Sequence, residues 1–116
     1  MVIVTIGLTI FFYSTFNRFY FRELRTDEED SAQYRVDRLV TAGRSALYYE
    51  DFVLSIKYFN LAIGAKPYLY EPWYYRSVAK FNLDDFTGAE SDATEALHLN
   101  PYINDMYDLR AICRIR

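Results

Sequence analysis

The residue pattern of this chain repeats at an interval of 34 residues. Residues 62–67 and 96–101 both begin with alanine and end with proline, and the same interval separates Asp51 from Asp85. A fixed interval of this length indicates one structural unit that is stacked, because a single unit cannot bury its apolar face alone. The sequence therefore predicts a function that resides on an extended surface and not in a closed pocket.

Composition narrows the class of protein further. With 116 residues the chain has the length of one domain, and its 52% hydrophobic and 19% aromatic residues exceed what a disordered segment contains. The net charge of -3 gives no electrostatic case for binding to nucleic acid. The single cysteine, Cys113, excludes an internal disulfide and a multi-cysteine zinc site, so we expect a small buried side chain there.

From about Gln33 onward, apolar residues recur at three- and four-residue intervals, which predicts a succession of helices. The first is expected to end near Tyr49. The second should begin after Asp51, a suitable N-cap, and end before Lys66. A third helix is expected to have Pro72 in its first turn and to end at a break at residues 84–85. A fourth helix should then end before residues 100–101, and a fifth should begin near residue 104.

These residues resemble the tetratricopeptide repeat (TPR) family, whose unit has a bulky residue at position 4, small residues at 8, 20 and 27, an aromatic at 24 and proline at 32. In a first repeat (residues 36–69) the resemblance is carried by Leu39, Gly43, Ser55, Phe59, Ala62 and Pro67. In a second repeat (residues 70–103) it is carried by Trp73, Ser77, Ala89, Ala96 and Pro101. Three positions depart from the family: Ala93 replaces the aromatic residue, and Glu50 and Asp84 stand where the turn usually has glycine.

The resemblance implies an all-α fold, a TPR-like α-solenoid of antiparallel helix pairs over residues 33–116. A third unit begins at about Asn104, with Tyr107 at position 4 and Ala111 at position 8, and reaches Arg116 before any second helix. This last helix either caps the stack or is the first helix of a longer array. The second alternative is favoured, because residues 109–111 repeat the context of residues 75–77.

An apolar segment precedes the repeats. Residues 2–16 carry no charge, but this uncharged segment is shorter than the roughly 20 residues of a helix that spans a membrane. Residues 19–21 would extend the apolar segment if the side chain of Arg18 snorkels to the membrane surface. We expect residues 1–21 to be an apolar anchor or signal-like segment, 22–32 a charged linker and 33–116 the repeat domain. Membrane association or export to the cell envelope follows. The alternative is a cytoplasmic protein in which this segment is a helix or strand that covers the end of the stack.

Charges after the apolar segment bear on its orientation and on metal binding. Arg18, Arg22 and Arg25 would keep this side of a spanning segment cytoplasmic, which conflicts with simple export. Residues 27–30 are four adjacent carboxylates, expected in a solvated linker or in the first turn of a helix. They lack the spaced ligands of a calcium loop, so no metal site is predicted.

The TPR resemblance also implies where a partner binds, since the first helices of TPR units line a concave groove for an extended peptide or a partner helix. The corresponding residues here are Val40, Arg44, Leu47, Tyr48, Glu71, Tyr74, Val78, Phe81, Asn82, Asp105, Asp108 and Ile112. Relatives that clamp a C-terminal carboxylate use Lys and Asn at two of these positions, and this chain does not. We expect Arg44 to pair with an acidic group and Tyr74 and Phe81 to anchor apolar side chains.

Catalysis is not expected. The chain has no glycine-rich phosphate loop, no paired histidine ligands and no nucleophile elbow. His98 lies six residues beyond Asp92, about two helical turns, which is outside hydrogen-bond reach. The sequence therefore predicts a non-catalytic protein–protein interaction scaffold without cofactor, binding a protein or peptide with micromolar affinity. The alternative is a structural segment of a larger envelope protein that self-associates through residues 104–116.

Overall fold

A computed structural model describes the backbone of residues 2–116 and the side chains of residues 7–18 and 29–116. All regular secondary structure in this part of the chain is α-helical, so the all-α prediction is confirmed. The five helices are α1 (Val2–Tyr48), α2 (Phe52–Ala65), α3 (Tyr70–Asn82), α4 (Phe86–Leu99) and α5 (Asn104–Ile115).

The chain divides into two compact units, residues 1–34 and residues 35–116. The backbone of α1 is helical through residues 22–32, where the sequence predicts a charged linker. Residues 27–30 thus lie inside a helix, and neither in an irregular linker nor in a first helical turn. The proposed division at residues 21 and 32 concerns the roles of these segments, and it stays a prediction.

In the first compact unit, α1 exposes apolar side chains. Leu8, Ile10, Phe11, Phe12, Tyr13 and Phe16 are each more than half exposed. The hydroxyl of Thr15 donates to the carbonyl of Phe11 at a distance of 2.8 Å, so this donor is satisfied within the helix. Within the described residues no helix has an apolar stretch sufficient to cross a membrane. The predicted anchor also includes residues 2–6 and 19–21, whose side chains lie outside the described part.

In the second compact unit, helices that are adjacent in sequence pack on one another: α2 on α3, α3 on α4, and α4 on α5. The end of α1 joins this series through a buried cluster of Val36, Val40 and Ala62. A second cluster, between α3, α4 and α5, contains Ala93, Ala96, Leu97 and Met106. The arrangement is consistent with a helical repeat.

Helix starts in the second unit follow the predicted caps. The carboxylate of Asp51 accepts from the backbone N–H of Leu54 at 3.2 Å, and that of Asp85 accepts from Gly88 at 3.0 Å. An aspartate at this position satisfies an N–H group that has no partner within the first helical turn. The prediction that α2 begins after Asp51 is therefore confirmed.

Among the residues described, two that are not glycine have positive φ, and both lie in the turns before these caps. Glu50 has φ 62° and Asp84 has φ 61°, which is the left-handed region that favours glycine. The amide of Glu50 donates to Leu47 and that of Asp84 donates to Phe81, both at 3.0 Å. Both turns therefore have the strained geometry that the missing glycines predict.

Candidate interaction surface

The geometry of the second compact unit repeats at the same 34-residue interval as the sequence. The indole N–H of Trp73 donates to the carbonyl of Pro67 at 2.9 Å, and the hydroxyl of Tyr107 donates to the carbonyl of Pro101 at 2.9 Å. The helix-ending amides of Lys66 and Asn100 likewise bond to the alanine carbonyls four residues earlier. These equivalent bonds relate α2 to α4 and α3 to α5.

A cation–π pair recurs at the same interval. The guanidinium of Arg76 lies 4.9 Å from the ring centre of Trp73, and that of Arg110 lies 5.5 Å from the ring centre of Tyr107. Such pairs orient an arginine side chain along the helix surface while its N–H groups remain free to bind an anion. α5 thus repeats this arginine–aromatic contact of α3.

In the first repeat, Gly43 of α1 lies directly against the ring of Phe59 of α2. A Cβ atom added at Gly43 would lie 2.5 Å from Cε1 of Phe59, inside the contact distance of any carbon pair. The Phe59 ring is fully buried and stacks on Tyr75 with 5.7 Å between ring centres. The large ring at position 24 therefore requires the absence of a side chain at position 8.

In the second repeat, the equivalent contact has different chemistry. Ser77 is fully buried, and its hydroxyl donates to the carbonyl of Ala89 at 2.8 Å. Ala93, which stands where the first repeat has Phe59, is also fully buried. The predicted small residues at helix contacts are confirmed as buried, Ala62 and Ala96 among them.

A buried ion cluster joins α3 to α4. Asp92 is 2% exposed, and the guanidinium of Arg76 donates to both carboxylate oxygens of Asp92, at distances of 2.8 and 2.7 Å. The ammonium of Lys80 lies 3.0 Å from the same carboxylate, and a further N–H of Arg76 donates to Asn60 of α2 at 2.8 Å. The carboxylate is thus fully paired by two cations, which offsets the cost of removing its charge from water.

This cluster was not predicted, although the sequence contains a signal for it. Thirty-four residues before its three charged members the chain has Ala42, Ala46 and Tyr58. All three positions change from uncharged to charged between the two repeats. A joint change of that kind indicates that the three side chains meet, because a lone buried charge is strongly disfavoured.

Two of the predicted groove residues contribute mainly to packing or to bonds within the chain. Val40 is 9% exposed and belongs to the buried cluster with Val36 and Ala62, so its side chain supports the core. The amide nitrogen of Asn82 donates to the carbonyl of Val78 at 2.8 Å.

Other groove residues are half-buried on α3. Tyr74 and Val78 pack against the cluster around Met106, and Phe81 meets Phe86 of α4 edge to face at 5.5 Å. Burial, and next the Asp105 carboxylate, raise the pKa of Tyr74, whose hydroxyl hydrogen-bonds to Asp105. Tyr74 and Asp105 were both predicted to line the groove, and the structure brings them together.

The remaining groove residues offer more exposed chemistry. Arg44 is exposed, with its guanidinium 5.3 Å from the ring centre of Tyr75 on α3. Tyr48 is 81% exposed and Ile112 is 42% exposed. Glu71 and Asp108 are also exposed, and Leu47 is half-buried. The surface therefore combines aromatic and aliphatic side chains with one accessible arginine.

Further chemical groups in the part of the chain that the structure describes are its metal-ligating side chains and its single cysteine. Among the described residues no group of three His, Cys, Asp or Glu side chains could hold a metal ion. Cys113 is buried, as predicted, and burial together with the Glu90 carboxylate raises the pKa of its thiol. Comparison with protein-family models and with curated proteins finds no match for this chain, so no family is identified.

Proposed function

We propose that residues 36–116 form a TPR-like α-solenoid of antiparallel helix pairs that serves as a non-catalytic scaffold for protein–protein interaction. The observation that carries this proposal is the recurrence of turns, caps and helix contacts at 34 residues, from Glu50 to Asp84 and from Trp73 to Tyr107. Stacked units of this kind present extended surfaces, and extended surfaces bind peptides and helices.

The proposed binding surface is a concave groove formed by the end of α1, α3 and α5. Two contacts already link these helices through predicted groove residues: Arg44 with Tyr75, and Tyr74 with Asp105. Half-buried aromatic rings are held rigidly and lose little entropy when a partner covers them, which makes Tyr74 and Phe81 suitable anchors. The exposed guanidinium of Arg44 would bind an acidic group of the partner.

We further propose that residues 2–21 attach the scaffold to a membrane or direct it to the cell envelope. The supporting observation is the exposure of apolar side chains between residues 7 and 16, with Phe12 75% exposed. A helix whose apolar side chains face outward on all sides needs a covering phase or partner. Cell fractionation tests this point: we expect the full chain in the membrane fraction and a variant lacking residues 2–21 in the soluble fraction. Soluble full-length chain would contradict it.

The scaffold proposal is tested with peptides selected from a random displayed library on the immobilised full chain. We expect micromolar peptides that contain an acidic residue beside an aromatic or aliphatic one. Arg44→Ala and Tyr48→Ala should each weaken their binding by about threefold to tenfold, as expected for partly exposed contacts.

Tyr68→Ala is the matched control, because Tyr68 is a 64% exposed tyrosine outside the predicted groove. We expect this variant to bind the selected peptides like the parent chain. Equal loss in the Tyr68 and Tyr48 variants would place binding elsewhere and contradict the groove proposal.

A further inference from the structure

A continuous row of side chains crosses the helices of the proposed groove. The guanidinium of Arg44, near the end of α1, lies 5.3 Å from the ring centre of Tyr75 on α3. The rings of Tyr75 and Tyr74 meet edge to face, with 4.9 Å between their centres. The hydroxyl of Tyr74 interacts in turn with the Asp105 carboxylate of α5. This row, named here the Arg44–Asp105 row, therefore has a cation at one end, a carboxylate at the other and aromatic rings between them.

The charged ends of the row are accessible to a ligand. Arg44 and Asp105 are both exposed. Among the described residues, neither of them forms an ion pair. A guanidinium donates several hydrogen bonds and a carboxylate accepts several, so the contacts with the tyrosines do not use up either group. Each end can therefore bind a group of opposite charge.

The middle of the row is held in place by packing. Tyr75 packs against the buried cluster around Val40, and Tyr74 packs against the buried cluster around Met106. Both tyrosines are half-buried. Asp105 lies in the first turn of α5 and faces α3, so the row does not involve the later turns of α5. Rings that are already fixed lose little entropy when a ligand covers them.

The length of the row sets the spacing of charges in its ligand. Helices that pack side by side are about 8–10 Å apart, so Arg44 and Asp105, two helices apart across the groove, are separated by about 20 Å. An extended peptide covers this distance in about six residues, at about 3.3 Å per residue. A helix would need about 13 residues, and a helix of that length is only marginally stable on its own in water. The row therefore favours an extended ligand.

We propose that the Arg44–Asp105 row binds an extended peptide segment that presents a carboxylate to Arg44 and, about six residues away, a lysine or arginine to Asp105. The side chains between these charges are apolar and cover the rings of Tyr74 and Tyr75. A cation placed there is attracted by the Asp105 carboxylate and by the neighbouring ring of Tyr74. This inference rests on the groove proposed above, and it adds a basic residue and a charge order to the ligand.

The test uses the peptides selected from the random displayed library on the immobilised full chain. We expect them to carry an acidic and a basic residue about six positions apart. Asp105→Asn should weaken their binding by about threefold to tenfold, measured by fluorescence anisotropy in about 0.15 M salt. Glu95→Gln is the matched control, because it removes the charge of a carboxylate on α4, outside the groove. It should bind within about twofold of the parent chain.

Exchanging the charges tests their order. A chain with Arg44→Glu and Asp105→Lys together should prefer a peptide in which the acidic and basic residues have been exchanged over the parent peptide. Thermal melting shows whether this variant keeps the fold. The comparison of two peptides on one variant does not depend on its overall affinity.

Failure of this inference differs from failure of the groove. The inference is overturned by selected peptides without a basic residue, by equal binding of Asp105→Asn and the parent chain, or by a larger loss in Glu71→Gln than in Asp105→Asn. In each of these cases, weaker binding by Tyr48→Ala than by Tyr68→Ala would still support the groove. If no peptide is selected, or if the Tyr48 and Tyr68 variants lose equally, the groove proposal fails and this inference fails with it.

Discussion

The first repeat (residues 36–69) and the second repeat (residues 70–103) have the same turns and caps but different interiors. In the first, Gly43 makes room for the ring of Phe59; in the second, Ser77 bonds to the backbone of α4 beside a small alanine. At three equivalent positions, the first repeat has two alanines and a tyrosine, and the second repeat has Arg76, Lys80 and the buried carboxylate of Asp92.

The difference teaches which features the repeat geometry requires. Left-handed turns, aspartate caps and close helix contacts recur in both repeats, because the backbone path depends on them. The interior side chains vary, provided that positions in contact change together. Exchanging parts between the two repeats is therefore the sharpest way to test the comparison.

The largest effect is expected at the ion cluster of the second repeat. Asp92→Ala should lower the free energy of unfolding by about 3–5 kcal/mol, because it leaves Arg76 and Lys80 without the carboxylate that pairs them. Urea denaturation followed by circular dichroism measures the change.

The matched experiment transfers the residues of the first repeat to the second, as Arg76→Ala, Lys80→Ala and Asp92→Tyr together. Replacing a whole buried ion cluster by apolar groups is often neutral, so this variant should be more stable than Asp92→Ala alone. If the triple variant is the less stable of the two, the interiors are not interchangeable and the comparison fails.

The next effect is expected at the Gly43–Phe59 contact of the first repeat. Gly43→Ala should lower the free energy of unfolding by about 1–3 kcal/mol, because the added methyl meets the fully buried ring of Phe59. Gly64→Ala in α2 is the control, since a Cβ there has no atom within 4 Å. It should be neutral or stabilise by up to about 1 kcal/mol.

A double-mutant cycle shows whether Gly43 and Phe59 are coupled. With Phe59→Ala, which imports the alanine of the second repeat, Gly43→Ala should lose most of its cost, because the methyl then has space. Additive effects of the two substitutions would show that the contact does not determine the choice of glycine.

A smaller effect of opposite sign is expected at the turns. Glu50→Gly should raise the free energy of unfolding by about 0.5–1 kcal/mol, since glycine adopts positive φ without steric cost. Asp84→Gly should raise it by less, because aspartate tolerates this conformation better than glutamate. Thermal melting compares the two variants, and a lower melting temperature in both would show that the turns are not left-handed.

The smallest effect concerns pH. At equivalent positions the first repeat has Val40 and the second has Tyr74, whose pKa is raised by burial and by Asp105. The folded chain thus holds the phenolic proton more tightly than the unfolded chain. This contribution to stability is fully present below pH 10 and is lost as the pH rises through the higher folded-state pKa. Tyr74→Phe should flatten the fall in urea midpoint above pH 10, and parallel curves for both proteins would contradict this assignment.

Much of the second compact unit is predictable from local signals. Caps at Asp51 and Asp85 and prolines after the second helices locate the ends of α2 and α4, because these residues act through bonds within a few positions. The continuity of α1 from Val2 was not predicted, because the change from apolar to charged composition near residue 22 indicates a boundary although no proline or glycine stands there to end a helix.

The candidate surface was less predictable than the helices. A position in a repeat gives the helix face but not the depth of burial, so Val40 was predicted in the groove and lies in the core. Charged residues are expected on surfaces, and the burial of Asp92 follows only from the joint change of three positions between repeats. Contacts between residues far apart in sequence therefore had to come from the structure.

The most direct measurement is the set of nuclear Overhauser effects between the helices of each repeat in the labelled full chain. We predict contacts between the α protons of Gly43 and the ring of Phe59, and between the β protons of Ser77 and the methyl of Ala89, in the same protein under the same conditions. Observing one contact without the other, or neither, would contradict two equivalent helix pairs related by 34 residues.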